Sequence, residues 1–568
     1  TENAVPLLEV GSHPRPRTIE DNNGDGGYWI LVDTDLSSCY EGYIMLVVAM
    51  KRLCRVGLAA ALVTAFFVLT LVDMPQQIAD LPADLSPTPA AASEPPGTRS
   101  IVAYSWARRL ALDYRPSREC SRASSNETLS SSWSSDAERT WLESIPGQLF
   151  LYTGHLDIRV LGYPSVRVIG VKREPTGSSI LYCTIWQEDE EGIHSYSMEA
   201  LVSDIWLDEW GGTSTDYTGI LITCPLPQYV TPPRRVYVGP HECYQNPSHS
   251  LIVKNVVNKT VIPKTEFTLC IKGLDFDEDI SHRLIAFFEL SRILGAGMFY
   301  VYVFNVHENV TKVLKLYEKS NVVRWFRLNL PGDLPNDVKA RRRLFSKDIW
   351  MKRRMELIPY NHCFYENLYS SEFVVPIDID EMIIPINVRT WSELMALEKS
   401  KGNSFYDYAS YAVRNVYFFP ELQRLASINN NDKNNNNDDN DNGSRINKNN
   451  GKKISTVDND SRLLNYFHTL RTSIVSPEGD SVKSFVSTER ALTIHNHYAL
   501  TTLNPTSRRV YHLDPRQVLK HHHRRCDNDR LDCGLLMRDL TIDQSARKYL
   551  PEFKSRVKFT LSYLNASM

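Results

Sequence analysis

The sequence has almost no net charge, no two cysteines in C-x-x-C spacing, and one long apolar run. A formal charge of −3, from 64 basic and 67 acidic residues, offers no polyelectrolyte face for nucleic acid. Without C-x-x-C there is no basis for a zinc ribbon or a thioredoxin-like redox pair. At 568 residues the chain is too long for one core and has room for two or three domains.

The apolar run, "VGLAAALVTAFFVLTLV" from Val56 to Val72, has the length of one membrane-crossing helix. Lys51, Arg52 and Arg55 precede it; Asp73, Asp80 and Asp84 follow, with no base until Arg99. That asymmetry predicts a cytosolic segment over 1–55, a single-pass anchor over 56–74, and the rest of the chain across the membrane. A cleaved signal peptide would begin nearer the start and end at a small-residue cleavage site, and a buried helix would carry a polar face. Six N-x-S/T sequons follow the run, at Asn126, Asn258, Asn309, Asn442, Asn459 and Asn565, as do eight cysteines. An even cysteine count in an oxidising compartment predicts disulfides, with the connectivity left open.

Residues 75–147 are rich in Pro, Ser, Ala and Thr and read as a stem. Over 148–265, short β-rich runs such as "VRVIGV" and "GILITC" between Gly, Pro and Asp clusters predict a small antiparallel accessory domain. From 266 to 568 the texture is α/β. A strand at "FTLCIKGL" leads into a helix with Ser281 as its N-cap and Gly295 as its C-terminal stop, and Leu284, Phe287, Leu290 and Leu294 form its core stripe. A strand "MFYVYVFN", a helix "TKVLKLYEKS" and a strand "VVRWFRLN" follow, which predicts a parallel sheet covered on both faces. A basic loop over 340–343 and a helix beginning near Pro359 lead back into the sheet at "EFVVPI". The Asn-rich tract 429–453 reads as a disordered insertion.

The informative stretch is "FVVPIDIDEMIIP", which sets Asp378, Asp380 and Glu381 inside an apolar run. As a continuation of the strand it would point Asp378 and Asp380 to one side. Two carboxylates on one face need a cation or a proton between them, and hard oxygen ligands suit magnesium or manganese. Alone, a D-x-D is more often a pair of solvated acids. At the carboxyl end of a strand in an open α/β sheet, it stands where such sheets bind ligands.

The blocks "CIKGLDFDEDISHRLIAFFELSRILGAGMFYVYVFN", "YNHCFYENLYSSEFVVPIDIDEMIIP" and "KSFVSTERALTIHNHYAL" together resemble glycosyltransferase family 92, over roughly residues 180–530. The resemblance implies a Golgi type II membrane enzyme with a Rossmann-like GT-A nucleotide-sugar domain. The implied reaction moves galactose from UDP-galactose to a glycan acceptor, forming a β1,4 linkage with inversion and using manganese. It implies Asp380 as the main metal ligand, Asp378 in the ribose and metal shell, and Glu381 nearer the sugar. "LKHHHRRC" matches a late His-containing element, with His522 as a metal ligand and Arg524 on the donor; His523 stands where the family has Tyr, so the choice among the three histidines stays open. His495 and His497 fall in the expected substrate pocket, and Lys483 is within reach of a phosphate. Inversion requires a proton acceptor, and Asp407, Glu421 and Glu489 are unranked candidates. Transfer from another UDP-sugar, or a catalytically inactive membrane-anchored glycan-binding protein, are the alternatives. A metal-dependent phosphohydrolase would need a second metal cluster that the sequence does not show.

Overall fold

The computed structural model describes residues 118–123, 141–160, 163–173, 180–189, 192–207, 210, 217–226, 231–256, 264–423, 463–528 and 531–567. The expected cytosolic segment, the anchor, most of the stem and the Asn-rich tract lie outside them. Among the described residues, no helix is long and apolar enough to cross a membrane.

The β-rich unit is an antiparallel sheet folded back on itself. Leu149–Asp157, Ser165–Arg173 and Tyr217–Pro225 pair along their full lengths in one half. Tyr182–Asp189, flanked by Gly192–Glu199 and Pro233–Gly239, forms the other. Leu251–Lys254 joins the halves, pairing antiparallel with Pro233–Gly239 and parallel with Leu149–Asp157. Val168, Ile220 and Ile222 from one half share a core with Ile185, Val236 and Val238 from the other. The Cys183–Cys224 disulfide crosses that core. At Gly154 the halves come so close that a Cβ would lie 2.9 Å from Val236 Cγ1. Strands Arg118–Ala123 and Leu142–Ile145 extend this unit into the stretch read as a stem, and Cys120–Cys243 ties the first of them down.

The outer face of the same sheet is also apolar, because a second unit covers it. Phe150, Tyr152, Ile169, Val171 and Leu221 share one core with Met355, Ile358, Tyr360 and Val374. Arg159, paired with Asp157 at 2.8 Å, donates to the carbonyls of Thr488 (2.6 Å) and Ala491 (2.7 Å) across the seam.

In this second unit the labelled strands are β1 (Thr265–Asp275), β2 (Ala296–Asn305), β3 (Val323–Arg327), β4 (Ser371–Pro376) and β5 (Glu381–Pro385). They continue with β6 (Tyr408–Val413), β7 (Asn415–Tyr417), β8 (Lys483–Ser487), β9 (Arg508–His512) and β10 (Val518–His522). The main sheet runs β3-β2-β1-β4-β8-β6-β9. Its first four strands are parallel, as the alternating strand and helix texture predicts. The other half departs from that prediction: β8 is antiparallel to both β4 and β6. Strand order reverses between β1 and β4, which is where open α/β sheets leave a ligand crevice. A smaller sheet, β5-β10-β7, stands at that end.

Helices α1 (Ser281–Leu294) and α2 (Glu308–Lys319) fall where expected, except that Ser281 is the first helical residue of α1 and the cap position is Ile280. Gly295 ends α1 with φ +123°, a conformation open to glycine. The expected stripe on α1 is buried, but so are Ile285, Ala286 and Phe288, because the C-terminal helix Leu550–Ser567 covers its other side and Thr560 donates to Glu289 (3.1 Å). Two expectations fail. The basic run 340–343 lies in a helix, α3 (Val338–Lys347), since Arg341 and Arg342 pair with Asp275 and Asp277. Pro359 lies inside α4 (Ile349–Glu366), which starts at an Asp348 cap; Cys270–Cys363 fastens α4 to β1. The fourth disulfide is Cys526–Cys533.

Candidate active site

Between β4 and β5 the chain turns. The Glu381 N–H donates to the Asp378 carbonyl (3.0 Å), the Tyr466 hydroxyl donates to the Ile379 carbonyl, and the His523 N–H donates to the Asp380 carbonyl (2.8 Å). Asp378 and Asp380 therefore do not share a strand face, and alternation along a strand does not describe them. The turn hands each acid to different partners.

Asp378 lies in the crevice between β1 and β4. Register pairs Cys270 with Pro376, so two residues further on Lys272 meets Asp378, with Nζ and Oδ1 3.2 Å apart. Lys483 reaches Asp378 Oδ2 at 3.3 Å from β8. Burial would raise the Asp378 carboxyl, but Lys272 and Lys483 hold it well below the usual carboxylate range. Glu381 is enclosed. Its Oε1 accepts from Lys520 (2.5 Å), and its Oε2 lies 3.3 Å from Lys483 and accepts from the Asp378 N–H (3.1 Å). Burial is again opposed, by Lys483 and Lys520, and the carboxyl falls to about 2. Glu356 completes the chain at 3.3 Å from Lys272. Three lysines thus alternate with three carboxylates.

Asp380 is the acid left over. Its carboxylate is 31% exposed, and Oδ2 lies 3.4 Å from His522 Nε2. The register sets Glu381 opposite His522 across β5 and β10, which places His522 beside the turn. The strand also separates the three histidines by direction. His521 and His523 point into the core, where both pack on Phe418 (4.6 and 4.8 Å between centroids). Burial keeps both rings neutral, with His521 down to about 4. His522 alone points to the crevice, stacked on Tyr417 at 5.4 Å. Arg524, just beyond β10, is partly exposed with its guanidinium 3.6 Å from Asp527.

The remaining expected residues take up internal positions. Lys483 is fully enclosed. Besides the two acids it donates to both the backbone carbonyl (3.2 Å) and the side-chain oxygen of Asn496, so its donors are used inside the protein rather than offered to a phosphate. His495 packs on Trp210 (4.5 Å), and the His497 ring meets the Val482 carbonyl through Nδ1 (2.7 Å). Burial depresses both, His497 to about 3, so both are neutral. Between them Asn496 accepts from Tyr360 (2.9 Å) as well as from Lys483. Of the possible proton acceptors, Glu489 and Asp407 lie at the far end of the sheet: Thr488 bonds to Glu372 near the start of β4, and Asp407 precedes β6 at the end away from Lys483. Glu421 follows β7, whose last residue is the register partner of His522.

Lys272, Lys520, Asn496 and Tyr360 are site residues that sequence reasoning does not reach. A signal existed for the first two: each is a base inside an apolar strand, which demands a buried acid as much as "DIDE" demands a base.

The comparison with known families bears directly on this crevice. A family model described as glycosyltransferase family 92 matches residues 265–568, more than half of the chain, starting at the first residue of β1. The chain belongs to glycosyltransferase family 92. It is therefore a glycosyltransferase, with a sugar donor and a glycan acceptor as substrates. In this family 92 chain the matched segment holds every acid and lysine of the crevice described above, whereas the β-rich unit lies outside it. No curated protein matches the chain.

Proposed function

We propose that the chain transfers galactose from UDP-galactose to a glycan acceptor, forming a β1,4 linkage with inversion, with a divalent cation such as manganese held by Asp380 and His522 in a GT-A-type crevice. The observation that carries this reading is the charge pattern at the turn. Lysines match Asp378, Glu381 and Glu356, whereas Asp380 faces an imidazole and solvent. A carboxylate oxygen beside a ring nitrogen is a donor set that manganese accepts. When bound there, the ion supplies charge neutralisation on the diphosphate of the departing nucleotide.

The chain's own residues do the rest. Lys272, partly exposed at the mouth of the crevice, fixes Asp378 and adds positive charge where a diphosphate would lie. Lys483 and Lys520 hold Glu381 ionised, and Glu381 fixes the turn through the Asp378 N–H. Asn496 is oriented by Tyr360 and Lys483, and its chain neighbours His495 and His497 are kept neutral by burial. Glu421, four residues past the register partner of His522, would accept the proton of the acceptor hydroxyl. The apolar run Val56–Val72 and four disulfides support a type II Golgi membrane enzyme with its catalytic unit in the oxidising lumen.

The test is transfer and donor hydrolysis by the purified protein across UDP-galactose, UDP-glucose and UDP-N-acetylhexosamines, with and without manganese. Galactose transfer that EDTA abolishes and manganese restores is the expected result. A preference for another donor would replace the sugar assignment, and activity indifferent to EDTA and to Asp380→Ala would remove the metal site.

A further inference from the structure

A second group of ligand-type side chains is built into the seam between the two units, apart from the turn. His155 comes from the strand Leu149–Asp157 of the β-rich unit; His362 and Glu366, one helical turn apart, come from α4. One donor atom from each lies within 4.8 Å of the others, and His362 Nε2 is 3.2 Å from the Glu366 carboxylate. Both imidazoles are completely buried. Each also has a hydroxyl on a ring nitrogen: Thr153 Oγ1 is 3.1 Å from His155 Nε2, and the Tyr302 hydroxyl bonds His362 Nδ1. Such a contact fixes a histidine's tautomer and aims its other nitrogen, as the outer partners of ligating histidines do. Tyr152, Phe326 and Tyr365 wall the group with rings.

We propose that His155, His362 and Glu366 bind one divalent ion of the zinc class, cross-linking the β-rich unit to the catalytic unit. Two imidazoles and a carboxylate are a zinc donor set, and tetrahedral ligands about 2 Å from the metal stand about 3.4 Å apart, close to the 3.2 Å between His362 Nε2 and the Glu366 carboxylate. Lys254, the strand neighbour of His155, lies 3.1 Å from the same Glu366 carboxylate and competes with the ion for it.

The experiment uses the full chain carrying Asp380→Ala and His522→Ala, so that zinc at the turn does not contribute and failure here is distinct from failure of the proposed activity. After EDTA treatment and reloading with zinc, metal content is measured by plasma mass spectrometry and cobalt(II) binding by visible absorption. One equivalent of zinc and a tetrahedral cobalt spectrum are expected. Tyr302→Phe, which keeps the ring, is expected to weaken zinc binding about 10–100-fold. Lys254→Met is expected to tighten it, an effect that a purely packing role of the trio would not produce. Retention of no zinc, or retention unchanged by Tyr302→Phe together with His155→Gln, overturns the proposal. If His155→Gln does not fold, absence of the cobalt bands in the Asp380→Ala, His522→Ala chain overturns it alone.

Discussion

Lys483 is the lysine shared by Asp378, which is partly buried, and Glu381, which is fully buried. Its replacement by Met leaves Asp378 with Lys272 and buried Glu381 with Lys520, one lysine each, so the loss should fall below the roughly 3–5 kcal/mol of a buried charge left with no partner. Denaturant unfolding of Lys483→Met should show that loss. Asp380→Ala should do the opposite: stability within about 0.5 kcal/mol of the parent, since the side chain is partly exposed, with transfer reduced at least ~100-fold. Equal losses of stability in the two variants would contradict a division between acids that hold the turn and an acid proposed to bind the metal. The acids were legible in the sequence because charge inside "VVPIDIDEMIIP" is conspicuous. Their division was not. It depends on lysines from three other strands, whose proximity is a property of sheet order and not of spacing.

At the scale of elements, the run from β1 through β3 was readable because each strand and helix carries its own local hydrophobic period. The β5-β10-β7 sheet was not, since its register joins segments remote in sequence, and the histidine choice waited on it. Once β10 is known to be a strand, a period of two sends His522 one way and His521 and His523 the other. The arginines of α3 misled for a related reason: a basic run suggests solvent until Asp275 and Asp277 are seen against it. The Cys270–Cys363 disulfide closes a long loop and clamps α4 to β1, next to Lys272. Replacing both cysteines with Ala should cost about 2–5 kcal/mol and lower Tm, and should impair transfer more than replacing Cys526 and Cys533.

Over the whole molecule, burial of neutral histidines sets the acid limit. His495 and His497 are depressed by burial, whereas in the unfolded chain they would take up protons below a pKa near 6.5. The unfolded state thus binds more protons below that value, so stability is highest at neutral pH and falls as pH drops through 6.5 toward 3. The slope is about 1.4 kcal/mol per histidine per pH unit. Glu381 acts lower: its contribution is complete above about 4.5 and is lost as pH falls toward about 2. Thermal melts should therefore decline between pH 7 and 5, before carboxylates titrate, and a flat Tm over that range would count against buried neutral histidines. The shared core makes a further prediction. A fragment of residues 265–568, although it coincides with the family match, would expose Met355, Ile358 and Tyr360. It should aggregate or lack cooperative unfolding, as judged by light scattering and calorimetry. The sequence showed two textures and a boundary near 265, but not that both faces of the first sheet are committed, one of them to the second unit.

Arg159 carries that commitment to the antiparallel pair of strands Ala491–Ile494 and Ala499–Thr502. By gripping the carbonyls of Thr488 and Ala491, it anchors the base of the segment that bears His495, Asn496 and His497. A displacement of the β-rich sheet would therefore be passed to that segment through Arg159 and through the core the two units share.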